Sequence, residues 1–298
     1  MLSDFSKDER WKNFELGVEL DISGSFIYNG IKIFNDLESL NNAAEIFEVL
    51  YNISVGLERL LKIAIILVEH NDETNLQEFE KNLITHNTLK LHDRLNKSID
   101  LNLPAYSKEF LALLSEFYKT YRYIRFSKNS ITNSSAEKYS FLKFIEKHLK
   151  TKLIFRDDFI LIENTDQIKI FLGKVIKKIT DKSFLVIRNK AMDLNIFTYE
   201  LRTLSKAHRV FWGEKLDFIA ERLCKKEMIL YLMSNKITSP HLEMLRNYDP
   251  LLLESDLTAV FIKCLLSDFQ LQFAKGFIEV GYDDHPNVKD RIKFLENM

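Results

Sequence analysis

Seven polar side chains in the first half of the chain have types that could handle phosphate and protons. Glu58 is followed one helical turn later by Lys62, His86 stands alone, and Arg122, Tyr123, Arg125 and Asn129 come close together. Histidine exchanges a proton near neutral pH, and arginine grips a phosphate by two parallel hydrogen bonds. His86 and Arg122 are therefore the candidate catalytic residues. Glu58, Lys62, Tyr123, Arg125 and Asn129 are the candidate substrate-binding residues. Each also has a plainer reading. Glu58 and Lys62 are in the favourable order for a local ion pair. Arg122 and Arg125 fall in the last turns of a helix, where cations complement the dipole. His86 reads as a polar residue of an early helical turn.

The elements that must position these residues are helices. Ile46, Leu50, Ile53, Leu57, Leu60, Ala64 and Leu67 recur at spacings of four and three, one face of a helix running from about Asn42 to His70. A neighbouring stripe holds Phe47, Tyr51, Ser54, Glu58, Leu61, Ile65 and Val68, so the helix is expected to be buried over a wide arc. Gly56 interrupts it and implies close approach of another helix, because glycine costs about 1 kcal/mol in a helix interior relative to alanine. After the polar stretch His70 to Asn75, LITHNTLKLHDRL reads as a shorter helix. Ser107 is the expected N-cap of SKEFLALLSEFYKTYRYIRF, and Ser134 with Glu137 has capping-box spacing for the helix containing FLKFIEKHLK. LIFRDDFILIEN reads either as a short strand pair or as a loop over the core. Beyond it, DQIKIFLGKVIKKIT has helical spacing, Ser239–Pro240 opens a further helix, and DLTAVFIKCLLSDFQLQFAKGF holds the last ones. A domain boundary is placed near Thr151, giving a bundle over 1–150 and a helical region of unassigned role over 151–298.

Composition agrees. Gly and Pro number only 8 and 4 in 298 residues, too few for the turns of an all-β chain. The formal net charge is -1, so a nucleic-acid site has to be a local basic patch. The two cysteines, Cys224 and Cys264, have neither metal-ligand nor disulfide spacing and read as small buried thiols. The charged N-terminus reads as no signal peptide, and the most apolar run, Leu60 to Val68, is far short of the ~20 residues a membrane span needs. A cytoplasmic protein without membrane contact is expected. P-loop, dinucleotide, nucleophile-elbow and HExxH motifs are absent, and no cofactor or metal is expected.

The order SVGLERLLKIAI, THNTLKL, FLALLSEFYKTYRY resembles the HEPN superfamily, small helical domains of prokaryotic defence, toxin–antitoxin and nucleotide-handling systems. In members that partner minimal nucleotidyltransferases, a helix carries E-x-x-x-K, matched by Glu58 and Lys62. A His before a leucine-rich helix comes next, matched by His86. An Arg-Tyr pair then ends a helix, matched by Arg122 and Tyr123. The resemblance covers roughly residues 15 to 150. It implies an all-α HEPN-like bundle followed by a second helical region, a homodimer with arginines facing one cleft, and RNA or nucleotide as ligand. It also implies a metal-independent ribonuclease of phage defence or a toxin–antitoxin system. One departure matters: ribonuclease members carry a His shortly after the Arg, and here Ser127, Lys128 and Asn129 stand there. A pair of that spacing, Arg202 and His208, lies outside the region of resemblance. Cleavage without metal needs a base for the 2′-OH proton and a cation for the phosphorane, so only a fold that brings His86 to Arg122 supplies both. The alternative is a non-catalytic helical dimerisation or interaction protein. A small-molecule enzyme with an aromatic-lined pocket is a third possibility, and no motif points to it.

Overall fold

The computed structural model describes residues 6–71, 73–124, 126, 128, 135–154, 160–234, 236, 238–266, 271–283 and 285–296, without the side chains of Ile124 and Gln272. The chain is all-α, with no strand among the described residues. It divides into two compact units, Met1–Phe218 and Ile219–Met298. The division falls beyond the boundary expected at Thr151, because the long helix after that point packs into the first unit.

In the first unit, α1 (Lys7–Arg10) and a π-helical turn (Trp11–Glu15) lead into α2 (Leu16–Asp36), which lies against α3 (Ala43–Glu69). Helix α3 forms where the periodicity places it. The Asn42 side chain accepts from the Ala44 N–H at 2.9 Å and caps it. Ile46, Leu50, Ile53, Leu57, Leu60 and Ala64 are fully buried. The close approach expected at Gly56 occurs: a Cβ there would lie 2.5 Å from Ile27 Cγ1 of α2. Ser23 Oγ, also on α2, donates to the Gly56 carbonyl at 2.8 Å.

The segment read as one short helix, LITHNTLKLHDRL, begins at the last residue of α4 (Leu76–Leu83), crosses a loop and then enters α5 (Thr88–Ser98). Asn75 and Asn87 cap them, accepting from Glu78 N–H and Lys90 N–H. His86 therefore lies in the loop between the helices, not in a helical turn. Helix α6 (Ala105–Glu116) starts at Pro104, three residues before the expected cap. Ser107 is inside the helix and buried, its Oγ donating to the Val175 carbonyl at 3.4 Å. α6 continues through a second π-helical turn (Phe117–Tyr121) into α7 (Arg122–Ile124). The capping box expected to open α8 (Ala136–Leu149) includes Ser134, which lies outside the described residues.

Between α8 and α9 (Asp166–Asp193) the described part of LIFRDDFILIEN is a loop over the core rather than a strand pair. It touches the α2–α3 connection through one bridge, Ser39 to Glu163, and through the Leu40 N–H donating to the Ile162 carbonyl at 2.8 Å. Asn164 anchors it. Its buried Nδ2 donates to the carbonyls of Phe34 at 2.7 Å and Leu37 at 3.2 Å, satisfying the end of α2. Asn164→Ala is expected to destabilise the chain by about 2 kcal/mol, since two buried carbonyls lose their donor. A urea midpoint within error of wild type would remove this anchor from the account. Helix α9 buries Ile168, Leu172, Val175, Ile176 and Ile179, as its spacing predicts. Helix α10 (Lys206–Trp212) closes on α2, where Ala207 occupies the space beside Gly24.

The second unit comprises α11 (Ile219–Met233), α12 (Pro240–Arg246), α13 (Thr258–Leu266), α14 (Leu271–Asp283) and α15 (Val288–Glu296). Ser239 caps α12 with Pro240 at its first position, as expected. Tyr248 stacks on Phe294 at 4.0 Å. Among its described residues only Leu242, Cys264, Ala274 and Arg291 are buried. Cys224 is exposed, because α11 buries none of its faces, so the expectation of two buried thiols holds for Cys264 alone. No helix among the described residues of the chain is long and apolar enough to cross a membrane.

Candidate functional site

Three elements converge beside the middle of α3. The start of α5 is fastened to α6 by a buried hydroxyl pair. Ser115 Oγ donates to the Leu111 carbonyl at 2.7 Å and accepts from the Leu89 N–H at 3.0 Å. Thr88 Oγ1 lies 3.0 Å from Ser115 Oγ. That fastening holds the loop carrying His86 next to the π-helical turn that carries Tyr118. A π turn inserts one extra residue into a helix and rotates the later turns relative to the earlier ones. Here it falls directly before Arg122.

Glu58 is the hub. It is 8% exposed, on the α3 face that turns towards this junction. Its two carboxylate oxygens have different partners: Oε1 accepts from Lys62 Nζ at 2.7 Å, and Oε2 lies 3.0 Å from His86 Nδ1. A carboxylate at Nδ1 favours the tautomer protonated there, which leaves Nε2 with its lone pair as acceptor. The His86 side chain is 59% exposed, so that nitrogen is accessible. This is the arrangement by which a carboxylate orients a histidine base and stabilises the imidazolium that forms.

Tyr118 joins His86 to Arg122. Its ring centroid is 4.5 Å from that of His86 and 4.3 Å from the Arg122 guanidinium. The guanidinium also sits 4.7 Å from the Tyr123 ring and 5.8 Å from the Tyr51 ring. Tyr51 stacks on Tyr118 at 6.3 Å, and Phe47 stacks on Tyr51 at 6.4 Å, so an aromatic ladder runs from α3 to the π turn. Arg122 Nη2 donates to the Tyr123 hydroxyl. Its Nη1 is buried without a hydrogen-bond partner among the described residues. Burial pushes the Tyr118 phenol above the usual tyrosine range, with Arg122 pulling the other way, so the ring stays neutral at physiological pH. Burial pulls the Arg122 guanidinium down, but Tyr118, Tyr123 and Tyr51 together outweigh it and hold it above its ordinary value, so it stays charged.

A cavity of about 380 Å³ opens here, lined by His86, Asn87, Lys90, Tyr118, Lys119 and Tyr123, with Thr85. Lys90 and Lys119 are exposed. The cavity therefore offers two exposed cations, one histidine and two phenol rings. Tyr123 is 54% exposed at its edge.

The structure thus brings together five of the seven residues singled out from the sequence: Glu58, Lys62, His86, Arg122 and Tyr123. Arg125 and Asn129 lie outside the described residues. Tyr51, Tyr118, Lys90 and Lys119 were missed. Tyr51 stood in the same stripe as Glu58, and Tyr118 stands four residues before Arg122; a tyrosine at helical spacing from a charged residue was the signal that packing alone did not require. The pair Arg202 and His208 lies elsewhere: His208 takes part in the opening of α10, its N–H donating to Ser205 Oγ. No group of three or more His, Cys, Asp or Glu suited to a metal ion occurs among the described residues. Comparison with known proteins adds no relative: no family model matches the chain, and neither does a curated protein or a solved structure.

Proposed function

We propose that this chain is an HEPN-like RNA-binding protein whose Glu58, His86 and Arg122 site cleaves the RNA backbone without a metal. The observation that carries the reading is the Glu58–His86 pair, which leaves Nε2 of His86 accessible beside Tyr118 and Arg122 at a cavity with two lysines. In this scheme Lys90 and Lys119 hold the phosphate, and a base stacks on the exposed Tyr123 ring. His86 Nε2 takes the 2′-OH proton, the 2′-oxygen attacks the adjacent phosphorus, and the bond to the 5′-oxygen breaks. The 5′-oxygen leaves with a proton from water, giving a 2′,3′-cyclic phosphate and a 5′-hydroxyl end. On RNA binding the Arg122 side chain swings out from its tyrosine neighbours, so that Nη1 grips the same phosphate and stays on the phosphorane. The family resemblance adds a homodimer and a role in phage defence or a toxin–antitoxin pair to the proposal.

The test is binding of a short fluorescent RNA by anisotropy across a salt series. Wild type is expected to bind with an affinity that falls with salt, as phosphate contacts require. Arg122→Ala is expected to bind about thirtyfold more weakly, the worth of one charge-assisted contact of about 2 kcal/mol. Unchanged affinity in Arg122→Ala would take the ligand away from this site.

A second reading has one observation in its favour. The second unit leaves Leu223, Met228, Leu230, Tyr231 and Met233 of α11 exposed, and an uncovered run of this kind marks a contact surface. A non-catalytic interaction protein would show no RNA binding at physiological salt and a stable oligomer by light scattering.

A further inference from the structure

We infer a second ligand site in the first unit, for a neutral planar aromatic molecule that carries a ring N–H or hydroxyl donor. It is independent of the His86 site and lies at the far end of α3. A cavity of about 770 Å³ opens there, within the range of small-molecule sites. The π-helical turn Trp11–Glu15 and α4 contribute its apolar wall: Trp11, Phe14 and Leu76, the last two each 45% exposed. The exposed charges around it are of both signs, Lys7 and Arg10 with Glu15 and Glu80, so it favours neither an anion nor a cation.

One buried polar side chain lines this cavity without a hydrogen bond to satisfy it. His70 follows the last residue of α3, and its side chain is only 9% exposed. Its ring is held edge to face against Trp11 at 5.1 Å and Phe79 at 5.5 Å. Asp8 Oδ1 lies 3.3 Å from Nδ1, off the line of a hydrogen bond, so that buried nitrogen has charge beside it but no bonded partner. The Asp8 carboxylate still favours the proton on Nδ1. Nε2 is then the ring's remaining acceptor, on a side chain that lines the cavity.

The surroundings fix the ring rather than quench it. Lys12, 5% exposed, donates to the His70 carbonyl at 3.0 Å and pairs with Asp8 Oδ2 at 2.8 Å. Its charge is thus spent on the end of α3 and on holding Asp8 in place. Arg94 lies over Phe79 at 5.2 Å and binds Glu69 at 2.6 Å, which helps hold the Phe79 ring in place. A rigid imidazole acceptor between aromatic walls selects a flat molecule with one donor, and the mixed charges at the rim select against an ionised one.

The test is saturation-transfer NMR on the full chain with indole and 1-methylindole, which share a shape and differ in the donor. Indole is expected to bind, and 1-methylindole about fivefold more weakly, as loss of one neutral hydrogen bond dictates. His70→Phe keeps the edge-to-face packing and is expected to erase that preference. Leu76→Trp, at a half-exposed position that tolerates bulk, fills the cavity and is expected to weaken both ligands. No transfer from indole at a few millimolar, or an undiminished indole signal in Leu76→Trp, would overturn the site. A preference that survives in His70→Phe would overturn the role of His70.

Discussion

Alanine in place of His86 is expected to slow RNA cleavage by about a thousandfold while leaving RNA affinity within about threefold of wild type. Removal of a positioned general base costs roughly 10²–10⁴-fold in typical enzymes. The substitution is clean because the side chain is mostly exposed, and surface changes of that kind alter stability by only about 0.5 kcal/mol. Glu58 loses one partner but keeps Lys62 at 2.7 Å, so no unpaired carboxylate is left in the core. Glu58→Gln separates orientation from charge. The amide oxygen still accepts from Nδ1 and holds the ring, but it no longer stabilises the imidazolium formed when Nε2 takes the proton. An intermediate loss of about tenfold to a hundredfold is expected from it. Single-turnover cleavage of a labelled oligoribonucleotide in the presence of a chelator measures both variants. A His86→Ala chain that cleaves at the wild-type rate would place the chemistry on other residues.

The framework of this site was legible where one periodicity governs a long stretch. Helix α3 is such a stretch: its apolar spacing is unbroken along its length, Asn42 is a strong cap, and Gly56 could only mean a close neighbour. Glu58 and Lys62 were readable as partners because both sit on that one helix. His86 as a third partner was not, since helical periodicity says nothing about which loop folds over a given face. The break beside it was hidden too. LITHNTLKL keeps an apolar rhythm across that break, and the two caps, Asn75 and Asn87, are residues equally at home in a loop. Ser107 was a reasonable cap by type, but Pro104 already starts α6, with its fixed backbone angle and no N–H to satisfy. The π turn at Phe117–Tyr121 has no composition of its own, so a strict spacing of three and four could not show how Arg122 is set against Tyr118. Lys90 and Lys119 gave no signal for a different reason. An exposed lysine on a helix is ordinary, and only the cavity between the two helices makes these two significant. The extent of the first unit was hidden as well, because α9 follows a polar, weakly patterned loop and returns to pack on α3 and α6.

Gly56→Val is expected to lower stability by more than about 3 kcal/mol. A Cβ at this position would meet Ile27 Cγ1 at 2.5 Å, the Ile27 nitrogen at 2.9 Å and the Ser23 oxygen at 2.9 Å. Two of those three atoms are backbone, so no rotamer change relieves the clash and α2 must move away from α3. Overpacking of a core costs about 1–3 kcal/mol where side chains can adjust, and here the obstacle is a helix. Separation would also break the bond from Ser23 Oγ to the Gly56 carbonyl, stranding a buried hydroxyl. Gly56→Ala is the finer probe. Alanine gains about 1 kcal/mol of helix propensity, so a net loss in that variant measures the contact and not the backbone. Gly17→Ala is its control, since nothing lies within 4 Å of a Cβ there and propensity alone should stabilise the chain. Urea denaturation of the two alanine variants decides the matter: equal midpoints would mean that α2 and α3 do not meet at Gly56. The site adds a second readout. Glu58 is two residues beyond Gly56, whereas His86 is held through the fastening of Thr88 to α6. A shift of α3 therefore pulls the carboxylate from the imidazole, and Gly56→Ala should lose cleavage under conditions where the chain is still fully folded.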